Sequence, residues 1–292
     1  MSHKLKSKTF NQLSILSSPT STTTSIIFEF DKSTDFFQVV DPQPRSFDNP
    51  SNGQWTGATL ALNGKIYGVP QNANTSAHVL EIDPTTDTAR LIPFNNPSNE
   101  VWGGSTLAPN GKIYAAPASG NTSTKMLEFD PTDNTIRLIP FDNPGGWGWA
   151  GPTLAHNGKI YAPPVTRNTS ATWLEFDPTT DTAQLTPFDN TDGYQWFGFT
   201  LAPNGKLYAA STNGGPNNNN PANMLEIDPT TSATQTIPFQ NPTNDGWGVA
   251  ALAPNGKIYA LPLSGNNPAP LLEIDPTDNT TRLIPFNNPG GE

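Results

Sequence analysis

Residues 102–141 read WGGSTLAPNGKIYAAPASGNTSTKMLEFDPTDNTIRLIPF, and most of the chain consists of copies of this stretch. Its opening tryptophan, an Asn-Gly-Lys triplet and a Glu-x-Asp pair recur in the same order in every copy. Self-similarity at a fixed period of this length indicates a repeat architecture. The closing phenylalanine recurs at steps of 47, 47, 51 and 47 residues, at Phe94, Phe141, Phe188, Phe239 and Phe286.

A sixth, degenerate copy precedes these five. The segment IIFEFD at residues 26–31 matches LEFD of the repeat, with Glu29 and Asp31 as its acidic pair. Residues 12–19 align with NGKIYAAP, and residues 36–40 replace the last apolar run. We therefore expect one domain over residues 1–292, made of six units. The predicted units are residues 1–47, 48–94, 95–141, 142–188, 189–239 and 240–286.

Each unit contains four short runs with strand character. In the unit quoted above they are residues 105–108, 112–116, 125–129 and 135–141. The third run is read as a strand in which Met126 and Glu128 point to one side and Leu127 and Phe129 to the other. The Asn-Gly between the first two runs predicts a two-residue hairpin turn with both central residues at positive φ. No run has a 3.6-residue apolar period, so we expect almost no helix.

Four antiparallel strands repeated every 40 to 50 residues are typical of β-propeller blades. One such sheet is too small to bury its own faces, whereas neighbouring blades bury them for each other. The sequence therefore predicts an all-β, six-bladed propeller with a degenerate first blade. A five-bladed propeller is the alternative if the first copy does not form a blade.

The segments GKIYAAP and KMLEFDPTDNTIRLIPF resemble a kelch-type repeat, in which an apolar strand precedes a VEVYDPxTNxW-like segment. The resemblance spans all six units. Two kelch features differ, because AAP or a similar triplet replaces the double glycine and the tryptophan stands elsewhere in the unit. The resemblance implies the propeller fold and transfers no functional residue, since fold does not determine function.

Composition restricts the classes of partner. The formal net charge is −10, which makes nucleic acid and acidic membrane surfaces poor partners. The chain contains no cysteine, which excludes disulfides and thiolate metal sites. The N-terminus is basic but is followed by Ser and Thr, so we recognise neither a signal peptide nor a transmembrane run and slightly favour a cytoplasmic location.

The segments that join one unit to the next are the best candidate sites. They combine an indole with Asn, Asp and backbone groups, and they lie on the same face as the long, variable loops. An indole face and amides suit a neutral polyhydroxylated ligand. The alternative, which the fixed place of the tryptophan in each unit favours, is a wedge between neighbouring blades. The candidate ligand-binding residues are Trp55, Trp102, Trp147, Trp149, Trp196, Trp247, Asn96, Asn143, Asn190 and Asn241.

The Glu-x-Asp pairs are predicted to be structural. Glu81 and its equivalents lie in mid-strand, opposite Arg90 and its equivalents on the neighbouring strand, and the second acid opens a turn. We expect no cofactor and no metal, because no calcium loop, zinc motif or phosphate-binding loop occurs. No nucleophile motif is present either.

Three functional hypotheses follow. The first is a non-enzymatic, lectin-like propeller that binds glycans at several similar sites between blades. The second is a protein-interaction or structural propeller whose partner binds the loop-rich face, as the kelch resemblance implies. The third is an enzyme of the lyase or lactonase type, which would need a unique polar cluster at the propeller axis.

Overall fold

A computed structural model describes ten ranges of the chain and shows only strands and turns in them, with no helix. Its 22 strands form five four-stranded antiparallel sheets and one two-stranded sheet. The all-β propeller prediction is therefore confirmed, as five complete blades after a degenerate start. The described ranges are 29–31, 36–38, 53–71, 76–118, 123–165, 170–190, 193–212, 222–242, 245–263 and 269–286.

The strands follow the repeat, and we name the five complete sheets blades I to V. The two-stranded sheet contains β1 (Glu29–Asp31) and β2 (Phe36–Gln38). Blade I contains β3 (Trp55–Leu60), β4 (Ile66–Pro70), β5 (Ser76–Asp83) and β6 (Thr88–Asn95). Blade II contains β7 (Trp102–Leu107), β8 (Ile113–Pro117), β9 (Ser123–Asp130) and β10 (Thr135–Asp142). Blade III contains β11 (Thr153–Leu154), β12 (Ile160–Ala162), β13 (Ser170–Asp177) and β14 (Thr182–Asp189). Blade IV contains β15 (Thr200–Leu201), β16 (Leu207–Ala210), β17 (Ala222–Ile227) and β18 (Thr234–Phe239). Blade V contains β19 (Trp247–Leu252), β20 (Ile258–Pro262), β21 (Ala269–Asp275) and β22 (Thr280–Phe286).

Within each blade every strand pairs with the next one in the chain. The predicted alternation holds in β9, because Met126 packs toward blade III while Leu127 and Phe129 pack toward blade I. A blade that has a neighbour on each side therefore buries both faces of its sheet against those neighbours, as stacked blades require. The apolar core consists of these inter-blade layers.

The degenerate start keeps the outer hairpin of a blade. Strand β1 pairs with β2 so that Glu29 lies opposite Gln38, as Glu81 lies opposite Arg90 in blade I. Residues 29–31 and 36–38 thus pair in the register that the predicted match to the third and fourth strands requires. The alignment of residues 12–19 with NGKIYAAP falls outside the described residues.

The prediction for the Asn-Gly turns was wrong in detail. Only the glycine of each turn has positive φ, +80° at Gly64, and the loop has three residues rather than two. The Gly64 amide donates to the carbonyl of Ala61, and the Asn63 side chain accepts the amide of Lys65. This is a type I turn followed by a left-handed glycine, an arrangement common in three-residue hairpins.

The inner strands approach each other closely. A Cβ added at Gly103 of blade II would lie 2.7 Å from Ala150 of blade III, so only glycine fits there. The amide of Gly151 donates to the carbonyl of Gly103 at 2.7 Å, a backbone hydrogen bond between blades. This contact therefore requires a residue without a side chain at position 103 of β7.

Candidate functional site

The connections divide between two faces of the propeller. The face that we call the turn face carries the tight turns after the first and third strands of each blade. The opposite face, the loop face, carries the connections after the second strand and the segments between blades. Those segments are residues 96–101, 143–148, 190–195 and 240–246. Five of the ten predicted ligand-binding residues lie in these segments. Trp55, Trp102 and Trp247 begin β3, β7 and β19, and Trp149 and Trp196 directly follow their segments and form isolated β-bridges.

The repeated tryptophans fill the layers between blades. Trp102 packs among Tyr67 and Val79 of blade I and Leu127 of blade II. Four of these indoles are completely buried, and a phenylalanine of the preceding blade packs on each at 5.4–5.9 Å between ring centroids. These four are Trp102, Trp149, Trp196 and Trp247.

Hydrogen bonds fix the same indoles. Nε1 of Trp149 donates to the carbonyl of Thr172 at 2.8 Å, and Trp102 and Trp247 make the equivalent bond. The Trp149 amide also donates to the carbonyl of Pro117 in the preceding blade at 2.8 Å. In Trp102, Trp149 and Trp247 both indole faces and the ring nitrogen are thus used inside the protein, which is the wedge arrangement that the sequence left open. Trp196 is equally buried, but its Nε1 has no hydrogen-bond partner within the described part of the chain.

The four repeated asparagines are buried and hold the inter-blade loops. The Asn143 side chain accepts the amide of Trp147 at 3.0 Å and donates to its carbonyl at 2.7 Å. The other three make the same pair of bonds to the residue four positions ahead. The side-chain amide of each of these asparagines is therefore hydrogen-bonded to the backbone of its loop. The other three asparagines are Asn96, Asn190 and Asn241.

The residue that each asparagine holds differs from blade to blade. Glu100 is buried and contacts the ammonium of Lys125 at 3.4 Å. Tyr194 is buried beside Trp196, with ring centroids 6.2 Å apart. Asp245 is buried, and Trp147 is half-buried. This position is the place where otherwise similar blades differ, and of its four residues Trp147 alone is partly exposed.

Trp147 is the tryptophan of the inter-blade segments that stands outside the repeated position. Its ring folds over Gly145, where a Cβ would collide with the six-membered ring, and packs partly on the layer between blades II and III. Phe197 of blade IV is 41% exposed, and its carbonyl abuts Gly151, four residues after Trp147. Trp147 and Phe197 are thus two partly accessible aromatic residues in successive connections between blades.

The turn face carries one buried carboxylate network per blade. In blade I, Glu81 accepts hydrogen bonds from Arg90 at 2.7 and 2.8 Å, from Lys65 at 2.8 Å and from Tyr67 at 3.0 Å. The predicted Glu–Arg pairs are confirmed in blades I, II and V. Hydrogen bonds, first from Arg90 and then from Lys65 and Tyr67, lower the pKa of Glu81 to about 2 against the opposing effect of burial.

These networks also connect the blades. Arg137 of blade II pairs with Asp181 in the turn of blade III, and Arg90 donates to Asn134 in the turn of blade II at 3.2 Å. Asp83 opens its turn as predicted, accepting the amide of Thr85 at 2.9 Å. The charged groups of the turn face thus satisfy one another.

Buried hydroxyl groups connect the first strands of neighbouring blades. The hydroxyls of Thr59 and Ser105 lie 2.8 Å apart, and Thr200 donates to the carbonyl of Ala250 at 2.8 Å. Among the described residues, no group of three His, Cys, Asp or Glu side chains is arranged to hold a metal ion. The described part of the chain also contains no helix long and apolar enough to span a membrane.

Comparison with known proteins supports the fold. The periplasmic gluconolactonase of Pseudomonas aeruginosa superposes with a TM-score of 0.61 at 14% identity, over 91% of this chain and 79% of its own. YCF48, solved with a D1 peptide, gives 0.55 at 13% identity over 82% and 70%. A Bacteroides caccae protein of unknown function gives 0.54 at 13% identity over 87% and 88%.

These structural neighbours are propeller-type folds, as the kelch resemblance implied, and at such identities they show the fold alone. No protein-family model matches the sequence. No curated protein matches it significantly either.

Proposed function

We propose that this chain is a non-enzymatic binding module that takes its ligand on the loop face. The observation that carries the proposal is the division of chemistry between the two faces. On the turn face, Glu81 and its equivalents are saturated by partners from the same repeat or the next blade. The loops of the loop face instead differ in sequence from blade to blade, and binding sites are typically found on such loops.

A neutral carbohydrate is the ligand class that we favour. The loop-face segments are rich in Asn, Ser, Thr and Gly, whose amides and hydroxyls match the hydroxyl groups of a sugar. Trp147 adds a partly accessible indole on which sugar C–H groups could stack. Lysines and arginines are rare in these segments, which fits an uncharged ligand better than an acidic one.

The burial of the repeated tryptophans changes the expected number of sites. Stacking a sugar on Trp102 or Trp149 would require two blades to separate, because both indole faces pack on protein. We therefore place the site at the loop of blade III, around Trp147 and the Asn143 that holds it. One site of this kind predicts 1:1 binding without avidity.

A protein segment is the second candidate ligand. Phe197 exposes 41% of its surface in the connection between β14 and β15, and an exposed aromatic ring is a common anchor at protein interfaces. The kelch resemblance also favours a protein partner. YCF48 offers an example of a similar fold solved with a peptide, and at 13% identity the example concerns fold only.

A glycan array probed with the full chain tests the proposal. We expect binding to one sugar family, reduced about tenfold by Trp147→Ala because one stacking contact is removed. Leu62→Ala is the matched control, since Leu62 is 81% exposed on the turn face. Binding that both variants retain would contradict the site. If no glycan binds but the chain captures peptides, and Phe197→Ala abolishes that capture, the ligand is a protein segment and not a carbohydrate.

A further inference from the structure

The two outermost blades each leave one apolar face uncovered. At the layer between blades I and II, the blade I face is formed by Tyr67, Val69, Val79 and Ile92, all buried. The corresponding face of blade V contains Tyr259, Leu261, Leu271 and Ile284, and none of these four is buried. Leu261 is 65% exposed, whereas its equivalent Val69 is fully buried.

The opposite face of blade I is uncovered in the same way. Ile113 and Phe129 of blade II are fully buried against blade I. Their equivalents Ile66 and Ile82 are only half-buried, and Leu60 is 45% exposed. The uncovered faces of blades I and V therefore do not cover each other. Each is the counterpart of a face that a neighbouring blade covers elsewhere in the molecule.

We propose that residues 1–47 of the same chain form the remaining blade and occupy the space between these two faces. The segment has the length of one repeat and leads directly into blade I. Its described hairpin has the register of a blade's outer hairpin, since Asp31 pairs with Phe36 as Asp83 pairs with Thr88. Its apolar runs, IIFEF and FFQVV, would supply the apolar surface that blades I and V lack.

The absence of cysteine from the sequence allows a direct test on the full chain. Single variants Leu261→Cys and Leu60→Cys are each labelled with a benzophenone maleimide, irradiated, and mapped by mass spectrometry after gel separation. We expect cross-links from both positions to residues 1–47 of the same polypeptide. Leu62→Cys is the control, because Leu62 lies over Gly111 on the turn face and should not give these products.

Three results would overturn the proposal. Cross-links that join two polypeptides would assign the uncovered faces to a second copy of the chain. Cross-links from position 261 to blade I would show that five blades close without the N-terminal unit. No cross-link from either position, in labelled protein whose circular dichroism and thermal midpoint match the unlabelled chain, would show that nothing covers these faces.

Discussion

Arg137 of blade II holds Asp181 of blade III through two hydrogen bonds, with Nη1–Oδ2 at 2.6 Å and Nη2–Oδ1 at 3.0 Å. The same guanidinium bonds to Glu128, a buried carboxylate of its own blade. Arg137 therefore links a network within one blade to the turn of the next.

Replacing the two partners should have unequal effects. Asp181→Asn removes an exposed ion pair and should cost about 0.2–1 kcal/mol of unfolding free energy. Arg137→Gln also deprives buried Glu128 of a donor and should cost about 1–3 kcal/mol. Urea denaturation of both variants and the double variant measures the coupling. Equal costs for the two single changes would contradict this division of roles.

The buried carboxylates should make stability fall in acid. Glu81 has a folded pKa of about 2 against an ordinary value of 4.5, mainly because Arg90 donates to it. The unfolded chain therefore binds more protons between these values, so the stabilisation is complete above about pH 4.5 and is lost toward pH 2. Burial alone would raise the pKa of Glu128, but donors led by Arg137 lower it to about 2, which adds to the effect.

Denaturant midpoints measured from pH 7 to pH 2 check this expectation. Glu81→Gln should be less stable than the parent at pH 7 and should lose less stability on acidification, because one proton-binding group has been removed. A variant curve parallel to that of the parent across this window would show that Glu81 does not contribute to the acid response.

The close approach of the inner strands predicts a contrast between two glycines. Gly158 has φ +80° with no atom within 4 Å of an added Cβ, so Gly158→Ala should cost only the left-handed strain of about 1–2 kcal/mol. Gly151 has φ +55°, and an added Cβ would collide with the backbone at Phe197 and Gly198. Gly151→Ala should therefore lower the thermal unfolding midpoint more than Gly158→Ala does. Equal midpoints would mean that the inner strands are not packed this closely.

The asparagine that holds the blade III loop gives another prediction. In Asn143→Asp the carboxylate can still accept the Trp147 amide but can no longer donate to the Trp147 carbonyl. We expect a loss of about 1–3 kcal/mol in unfolding free energy, since a buried acceptor is left unpaired. Ligand binding at Trp147 should weaken in parallel. Unchanged stability would show that this bond does not hold the loop.

Some of this architecture follows from the sequence because the repeat presents each contact several times. The Glu81–Arg90 pair was predictable from strand parity, and the structure confirms it. Lys65 and Tyr67 were missed as members of the network, although they precede Glu81 by 16 and 14 residues, and this spacing recurs along the chain. The signal was present, but only the paired strands show that these side chains converge on one carboxylate.

The role of the repeated tryptophans could not be decided from the pattern. One indole per blade is compatible with a wedge and with a ligand-binding surface. Contacts with the preceding repeat, such as that of Phe94 with Trp102, distinguish the two roles. Trp147 was recognisable because it departs from the period. The turn geometry at Asn63 was mispredicted because its side chain bonds to Lys65 and Tyr67 instead of the backbone adopting positive φ.

The most direct measurement compares Trp149→Ala with Trp147→Ala, two changes in one loop, in urea unfolding and in binding to the glycan selected on the array. The account predicts that Trp149→Ala loses about 3–5 kcal/mol of unfolding free energy, because a fully buried ring is removed. Trp147→Ala should lose much less stability, and it should be the change that weakens glycan binding. A stable Trp149→Ala protein that no longer binds, beside an unstable Trp147→Ala, would reverse the assigned roles and contradict the account.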